Sequence, residues 1–290
     1  MAISAVYGCI TYARNFDWKS DEMLRTKTLE QRPDYGRVYN NIGYIYAKKE
    51  QYEKAIEYLE KAKKLEPNLA ITYQNLANIY DEFGEYEKAI QHFEKAIELE
   101  GELAETYSNM GVTYGKLGQD DKALESYKKA VEIDPTYFIA HSNIGVIYLI
   151  QKDWAEAQQY FEKALELNPN FGQAYHGLAA SLVNQQKIEE AIPHYEKSIA
   201  LSPEITENYN HLASIYEKKG DEEKAIEILK KGTEANPANV ELLTNLAIVL
   251  ANDTQLQEAV QKLNEALNIN PNYGPAQNVL EQIKQAINQE

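Results

Sequence analysis

One spacing recurs along this chain: from Gly36 onward, the same pattern of small and large residues returns every 34 residues for seven units without an insertion. The units are 36–69, 70–103, 104–137, 138–171, 172–205, 206–239 and 240–273. A fixed period of this length is typical of repeat proteins, in which each unit is one supersecondary element stacked on its neighbours. The period therefore constrains the fold more than any other feature of the sequence.

Two positions are small in all seven units. Counting from Gly36 as position 1, position 20 is always alanine: Ala55, Ala89, Ala123, Ala157, Ala191, Ala225 and Ala259. Position 8 is always glycine or alanine: Gly43, Ala77, Gly111, Gly145, Ala179, Ala213 and Ala247. Small side chains at a contact allow two helix axes to approach closely. Each unit is therefore predicted to be a tightly packed pair of helices.

The remaining apolar residues follow the spacing of two amphipathic helices per unit. The first helix has its stripe at i, i+3, i+4 and i+7, as at Tyr39, Ile42, Gly43 and Tyr46. The second helix has its own stripe, as at Ala89, Phe93, Ala96 and Ile97. It closes at position 32, where every unit has a proline or a glycine: Pro67, Gly101, Pro135, Pro169, Pro203, Pro237 and Pro271. Proline lacks the N–H that a continuing helix needs, so it ends each hairpin.

These residues resemble the tetratricopeptide repeat family over residues 36–273. The resemblance implies an all-α fold, a right-handed superhelical solenoid of antiparallel helix hairpins. It further implies that the first helix of each pair lines a concave groove and that the second forms the convex back. The function implied is that of a non-enzymatic scaffold that binds a peptide or a protein in the groove.

Residues beyond the repeats are predicted to cover the ends of the solenoid, since an end repeat has only one neighbour. Residues 274–290 are predicted to form a capping helix with Leu280, Ile283 and Ile287 on one face. Residues 1–35 are interpreted as a degenerate helical hairpin. Its first helix carries Ile3, Val6, Cys9 and Ile10 and is more apolar than a cap requires. We therefore expect Ile3, Val6 and Ile10 to form a self-association surface.

A second, shorter resemblance covers the run from Thr11 to Leu24. This run is similar to the junction in bacterial membrane glycosyltransferase-like proteins where a final membrane helix meets a tetratricopeptide tail. It lacks the aromatic residue directly after Leu24, so no transferase activity is implied. The similarity favours an extracytoplasmic or extracellular location over the cytoplasm. Residues 1–13 form the longest apolar stretch, which is too short to span a bilayer.

The composition argues against several classes of function. A net charge of −16 disfavours nucleic acid as a partner, because phosphate binding needs clustered Lys and Arg. Cys9 is the only cysteine, so neither a disulfide framework nor a thiolate metal site is expected. The sequence has no HExxH, CxxC, GxSxG or Rossmann glycine motif, so we predict neither an enzyme nor a cofactor. The five histidines are expected to hold no metal; His141 replaces a core tyrosine, and the others are expected on helix surfaces.

The candidate binding residues occupy position 6, which faces the concave groove in the tetratricopeptide family. Asparagine recurs there, interrupted by Gly177 and His211, and the set is Asn41, Asn75, Asn109, Asn143, His211 and Asn245. A carboxamide is both donor and acceptor, so such a ladder is able to bond the backbone of an extended peptide. It resembles the asparagine ladder of the O-linked N-acetylglucosamine transferase superhelix. The competing interpretation is that these asparagines tie neighbouring helices together.

Three functions therefore follow from the sequence. The first is a scaffold that binds a protein or peptide. The second is a structural subunit that assembles with itself, end to end, into filaments or tubes, because head-to-tail contacts that do not close generate helical arrays. The third is the tetratricopeptide tail of a membrane-embedded glycosyltransferase-like protein.

Overall fold

The computed structural model describes residues 34–287, and every regular element in that range is an α-helix. The described residues divide into two compact units, 34–135 and 136–287. The helices described in the first unit are α1 (Gly36–Lys48), α2 (Tyr52–Leu65), α3 (Ala70–Glu82), α4 (Tyr86–Glu100), α5 (Ala104–Lys116) and α6 (Asp120–Ile133). Those of the second are α7 (Phe138–Ile150), α8 (Trp154–Leu167), α9 (Gly172–Asn184), α10 (Ile188–Leu201), α11 (Thr206–Lys218), α12 (Glu222–Ala235), α13 (Val240–Asn252), α14 (Leu256–Ile269) and α15 (Gly274–Ile287). The predicted all-α class is confirmed.

Consecutive helices pack as hairpins around the small residues of the repeat. The seven position-20 alanines are all fully buried. In the first hairpin, a Cβ atom added to Gly43 would lie 2.6 Å from Leu59 Cγ and 3.1 Å from the Ala55 carbonyl oxygen. The missing side chain at Gly43 therefore sets the separation of α1 and α2, and Leu59 occupies the space.

The helix ends follow the proline positions. Before Pro67, α2 ends at Leu65 and Glu66 leaves the helical region, with φ −130° and ψ 80°. The ring of a following proline disfavours the helical conformation in the preceding residue. In the next hairpin Gly101 replaces the proline, and α4 continues one residue further, through Glu100, before Gly101 turns with φ 94°. The difference in length between α2 and α4 thus traces to one residue.

Position 15 of the repeat ends the first helix in a left-handed conformation. Non-glycine residues with positive φ occupy it in four repeats: Glu50, Lys152, Gln186 and Thr254. Glycine occupies it in the other three: Gly84, Gly118 and Gly220. The left-handed residue allows the following N–H to reach back across the helix end, as where Glu85 N donates to Tyr80 O at 2.8 Å. Side chains with a Cβ atom pay a steric cost in this conformation, most of all a β-branched one.

We therefore expect Thr254→Gly to stabilise the protein by about 0.5–1 kcal/mol. The change removes the backbone strain at residue 254, and the greater freedom of glycine in the unfolded chain offsets part of that gain. The matched change is Gly118→Ala, where an added Cβ would meet no atom within 4 Å. It is expected to destabilise by about 1 kcal/mol through the backbone alone. Urea unfolding followed by circular dichroism measures both. A loss of stability in Thr254→Gly would contradict the strain argument.

The last helix packs on the end of the second unit. Helix α15 contacts α13 and α14, and its residues Ala276, Leu280 and Ile283 are buried in the core cluster of that unit. Their spacing places them on one face of the helix, as a sealing role requires. Across residues 34–287, no helix combines the length and the apolar character needed to cross a membrane.

Candidate peptide-binding groove

The first helices of the three hairpins in the first unit line one groove. A cavity of about 490 Å³ runs across α1, α3 and α5. Three residues of the predicted ladder, Asn41, Asn75 and Asn109, line it together. A smaller cavity of about 310 Å³ continues along α3 and α5 and shares Asn109 with the first. Three of the predicted binding residues are thus close enough to contact one extended ligand.

The three groove asparagines differ in what their side chains do. The Asn75 Nδ2 atom donates a hydrogen bond of 3.0 Å to Asn40 Oδ1, at position 5 of the preceding repeat. The carboxamides of Asn41 and Asn109 make no hydrogen bond within residues 34–287. Asn41 is exposed, and Asn109 is half-buried. Asn75 therefore has a structural bond between repeats, whereas Asn41 and Asn109 offer their carboxamides to the groove.

The remaining ladder residues lie in the second unit. Asn143 is half-buried on α7. The Asn245 Nδ2 atom donates to Asn210 Oδ1 at 2.9 Å, which repeats the Asn75–Asn40 arrangement. Asn210 in turn donates from its Nδ2 atom to Glu241 Oε1 at 3.0 Å. In this unit, Asn245 is thus part of a polar chain that connects α11 and α13.

The two interruptions of the ladder have physical causes. A Cβ atom at Gly177 would lie 2.2 Å from Phe161 Cζ, so the Phe161 ring occupies the place of a side chain there. The His211 Nδ1 atom is 3.1 Å from the Tyr195 hydroxyl. Its ring also stacks on His176, with a centroid separation of 6.0 Å. His211 is therefore held by its neighbours within α9–α11.

Apolar side chains complete the groove of the first unit, and the sequence analysis did not single them out. Tyr44 is 48% exposed and Ile71 is 42% exposed, and both line the cavity with the asparagines. Val112, 37% exposed, lines the smaller cavity. Tyr44 and Val112 share position 9, on the same face of the helix as position 6. Exposed apolar residues at that position are the signal that could have identified them.

Charged residues border the same groove. Lys48 and Glu105 line the larger cavity. In the smaller one, Lys116 Nζ lies 2.6 Å from Asp81 Oδ2. Burial by itself would lower the pKa of Lys116, but the hydrogen bond and the charge of Asp81 outweigh it, and the pKa is raised. Both signs of charge are present, so the border does not select strongly for a charged ligand.

Of the four histidines expected on helix surfaces, His92, His176 and His194 are half-buried and His211 is exposed. The His92 ring stacks on Tyr80 with a centroid separation of 5.4 Å, and the His194 ring stacks on Tyr175 at 5.9 Å. Burial lowers the pKa of both rings. Burial, with a further contribution from the neighbouring His176, also lowers the pKa of His211. The surface expectation holds for His211, which is exposed, and was wrong for His92, His176 and His194, whose rings pack against tyrosines.

The lowered pKa values predict a loss of stability in mild acid. The unfolded chain takes up protons near pH 6.5 at His92, His194 and His211, while the folded chain resists them. Stability is therefore full above pH 6.5 and falls as the pH drops through that value. Because each ring keeps contact with water, we expect the free energy of unfolding to fall by only about 1–2 kcal/mol in total between pH 7.5 and 5.5. Glu217, whose pKa is raised by burial, acts in the opposite direction.

Urea unfolding at the two pH values measures this effect. A variant with phenylalanine at all three histidine positions keeps the ring packing and removes the titration. Its stability should change much less over the same interval. An equal loss in the variant and the parent would assign the effect to other groups.

Other predicted features have different outcomes. Ile3, Val6, Ile10 and the Thr11–Leu24 run lie outside the described residues, so the self-association surface and the junction with a membrane domain stay predictions. Within residues 34–287, no group of three or more His, Cys, Asp and Glu side chains is arranged to hold a metal ion.

Hairpins of α-helices around a groove define a helical repeat protein of the scaffold class. The chain belongs to the tetratricopeptide repeat family. The family model described as the C-terminal domain of cilia and flagella-associated protein 70, a tetratricopeptide-type domain, matches residues 70–286, well over half of the chain. The model of the tetratricopeptide repeat itself matches residues 34–99. The predicted family is thereby confirmed.

Solved structures share the fold at low identity. A chain of the APC/C hetero-tetramer Cut9–Hcn1 is 18% identical, with a TM-score of 0.66 over 89% of this chain and 51% of that one. The chain thus spans about half the length of this relative. PilF of Pseudomonas aeruginosa is 20% identical, with a TM-score of 0.64 over 77% of this chain and 99% of that one. A tetratricopeptide repeat protein from Parabacteroides merdae is also 20% identical, with a TM-score of 0.62 over 86% of this chain and 98% of that one. No curated protein matches the sequence.

Proposed function

We propose that this protein is a non-enzymatic scaffold that binds an extended peptide segment of a partner protein in the groove formed by α1, α3 and α5. The observation that carries the proposal is the pair of carboxamides, Asn41 and Asn109, that line this groove without a hydrogen bond inside residues 34–287. Each supplies a donor and an acceptor at the groove surface. A peptide backbone presents the complementary groups at every residue.

The groove also indicates what the peptide side chains should be. Tyr44 and Ile71 expose apolar surface beside the asparagines. Burying that surface on binding is favourable in proportion to its area. With Lys48 and Glu105 both at the border, neither a strongly acidic nor a strongly basic peptide is favoured. We infer a ligand with an extended backbone and apolar side chains on the side that faces the groove.

The test begins with selection of a binding peptide from a library of unstructured peptides displayed on phage. The affinity of a fluorescent copy is then measured by polarisation. Asn41→Ala with Asn109→Ala is expected to weaken binding about tenfold or more, since each removed hydrogen bond contributes roughly 0.5–1.5 kcal/mol. Helix content should not change, because neither carboxamide bonds to the rest of the described chain.

Two control variants separate binding from structure. Asn184 is exposed on α9, and its Nδ2 atom bonds only to the Ala180 carbonyl at 2.9 Å, so Asn184→Ala should leave affinity unchanged. Asn75→Ala removes the bond to Asn40 and should cost about 1 kcal/mol of stability. Unchanged affinity in the double variant would reject the groove as the binding site.

A further inference from the structure

A recurring aromatic sandwich stabilises several hairpins, and in the third hairpin a small side chain, Ser126, stands at the place of the central ring. In the first hairpin, the ring of Tyr58, at position 23, lies between those of Tyr39 and Tyr46, with centroid separations of 6.3 and 5.3 Å. In the second, His92 lies between Tyr73 and Tyr80 at 5.9 and 5.4 Å. The outer rings come from positions 4 and 11 of the first helix. Such separations are typical of favourable aromatic pairs.

The third hairpin has both outer rings and no central one. Its outer rings are Tyr107 and Tyr114 on α5, but position 23 on α6 is Ser126. A cavity of about 790 Å³ opens at this place, and its lining includes Tyr107, Tyr114, Ser126 and Met110. Met110 and Ser126 are buried and form the floor, while the two tyrosines are partly exposed and form the walls. We call these four residues the tyrosine slot.

The surrounding residues leave the slot accessible to a ring. Lys122 Nζ lies 5.3 Å from the centroid of the Tyr114 ring. The equivalent lysines of the first two hairpins, Lys54 and Lys88, lie over Tyr46 and Tyr80 at 5.5 and 5.3 Å. In those two hairpins the lysine and the central ring, Tyr58 or His92, are both present. A lysine at this position therefore leaves room for a central ring, and so does Lys122.

We propose that the tyrosine slot is a second binding site, distinct from the asparagine groove, and that it binds a tyrosine side chain of a partner protein. The neighbouring hairpins supply the template, since Tyr58 shows that a phenol ring fits between two such walls. The cavity has room for a ring together with the backbone that carries it. A bound tyrosine makes, between two molecules, the aromatic packing that the first two hairpins make within the chain.

Methionine NMR on the full chain tests the proposal. The sequence has three methionines, so the methyl signal of Met110 is readily assigned in a protein labelled at the methionine methyl groups. The probes are p-cresol, which is the tyrosine side chain, and the tripeptide acetyl-Gly-Tyr-Gly-amide. We expect both to shift the Met110 signal upfield and saturably at millimolar concentrations. The non-aromatic analogue 4-methylcyclohexanol should bind at least fivefold more weakly.

Variants at Ser126 decide whether the slot is responsible. Ser126→Tyr supplies the missing ring and should weaken p-cresol binding at least tenfold. Ser126→His, which copies the arrangement at His92, should do the same if the tyrosine variant folds poorly. Asn184→Ala, an exposed change on α9 far along the chain from the slot, is the control and should bind p-cresol within twofold of the parent. The proposal is overturned if the parent gives no saturable shift, or if a folded Ser126→Tyr or Ser126→His variant binds as well as the parent.

Discussion

Replacing Gly177 with asparagine, which would restore the interrupted rung of the ladder, is expected to destabilise the protein by about 3 kcal/mol. The first atom of the new side chain would lie 2.2 Å from Phe161 Cζ. Phe161 is fully buried, and its ring also packs closely against Gly145. A ring in a densely packed core has little space into which it can move. Overpacking of this kind costs typically about 1–3 kcal/mol and more where nothing relaxes.

A double-mutant cycle with Phe161 tests the cause. Phe161→Ala alone should cost about 3–5 kcal/mol, because it leaves a cavity in the core. Combined with Gly177→Asn, it should cost clearly less than the sum, with a coupling of about 1–3 kcal/mol. Gly274→Ala, where an added Cβ meets no atom within 4 Å, is the matched control and should change stability by less than about 0.5 kcal/mol. Complete urea curves are compared, since repeat arrays need not unfold in two states. Additive costs would show that Phe161 is not the obstacle.

Removing the ammonium group of Lys116 is expected to have the second large effect. Its Nζ atom lies 2.6 Å from Asp81 Oδ2, and the Asp81 side chain is only 11% exposed. The other carboxylate oxygen, Oδ1, is buried and has no hydrogen-bond partner among the described residues. In Lys116→Met the Asp81 charge would lose its counterion while remaining buried. Breaking a buried pair costs about 3–5 kcal/mol, and partial exposure of Lys116 reduces our expectation to about 2–3 kcal/mol.

The loss should be recovered when the carboxylate is removed as well. Asp81→Asn in the Lys116→Met background is expected to regain more than half of the lost stability in urea unfolding. Lys95→Met is the control, because the Lys95–Glu98 pair of 2.7 Å is exposed on both sides and should contribute less than about 0.5 kcal/mol. The raised pKa of Lys116 places the loss of this contribution at alkaline pH, above the usual range of lysine. If Lys116→Met unfolds like the parent, the Asp81 charge is solvated in another way.

The repeat period made most of the fold predictable. Positions 8, 20 and 32 determine where helices approach and where they end, and these are local or nearest-neighbour effects that a sequence displays directly. Pro193 is an instructive exception, since proline in a helix interior usually breaks it. Helix α10 nevertheless runs from Ile188 to Leu201 through Pro193, because Ala191 and Tyr195 on either side are buried. Packing outweighed the local preference.

The candidate site was only partly predictable. Recurrence identified position 6, but it could not distinguish asparagines that bond between repeats from those that face the groove. That distinction depends on position 5 of the preceding repeat, where Asn40 and Asn210 accept the bonds from Asn75 and Asn245. The cavity beside Ser126 was also not predicted, because it depends on how two tyrosine rings of α5 pack around a serine of α6.

Gly101, which stands at position 32 of the second repeat, affects the kinetics of folding. Because it replaces a proline, the segment from residue 68 to residue 134 contains no proline, and this segment holds α3 to α6. Isomerisation of X–Pro bonds takes tens of seconds or longer and delays refolding of the chains that carry the wrong isomer. No such step can delay these four helices, whose contacts are local in sequence. They can assemble first and present a formed surface on which the first hairpin of the same unit, closed by Pro67, folds later.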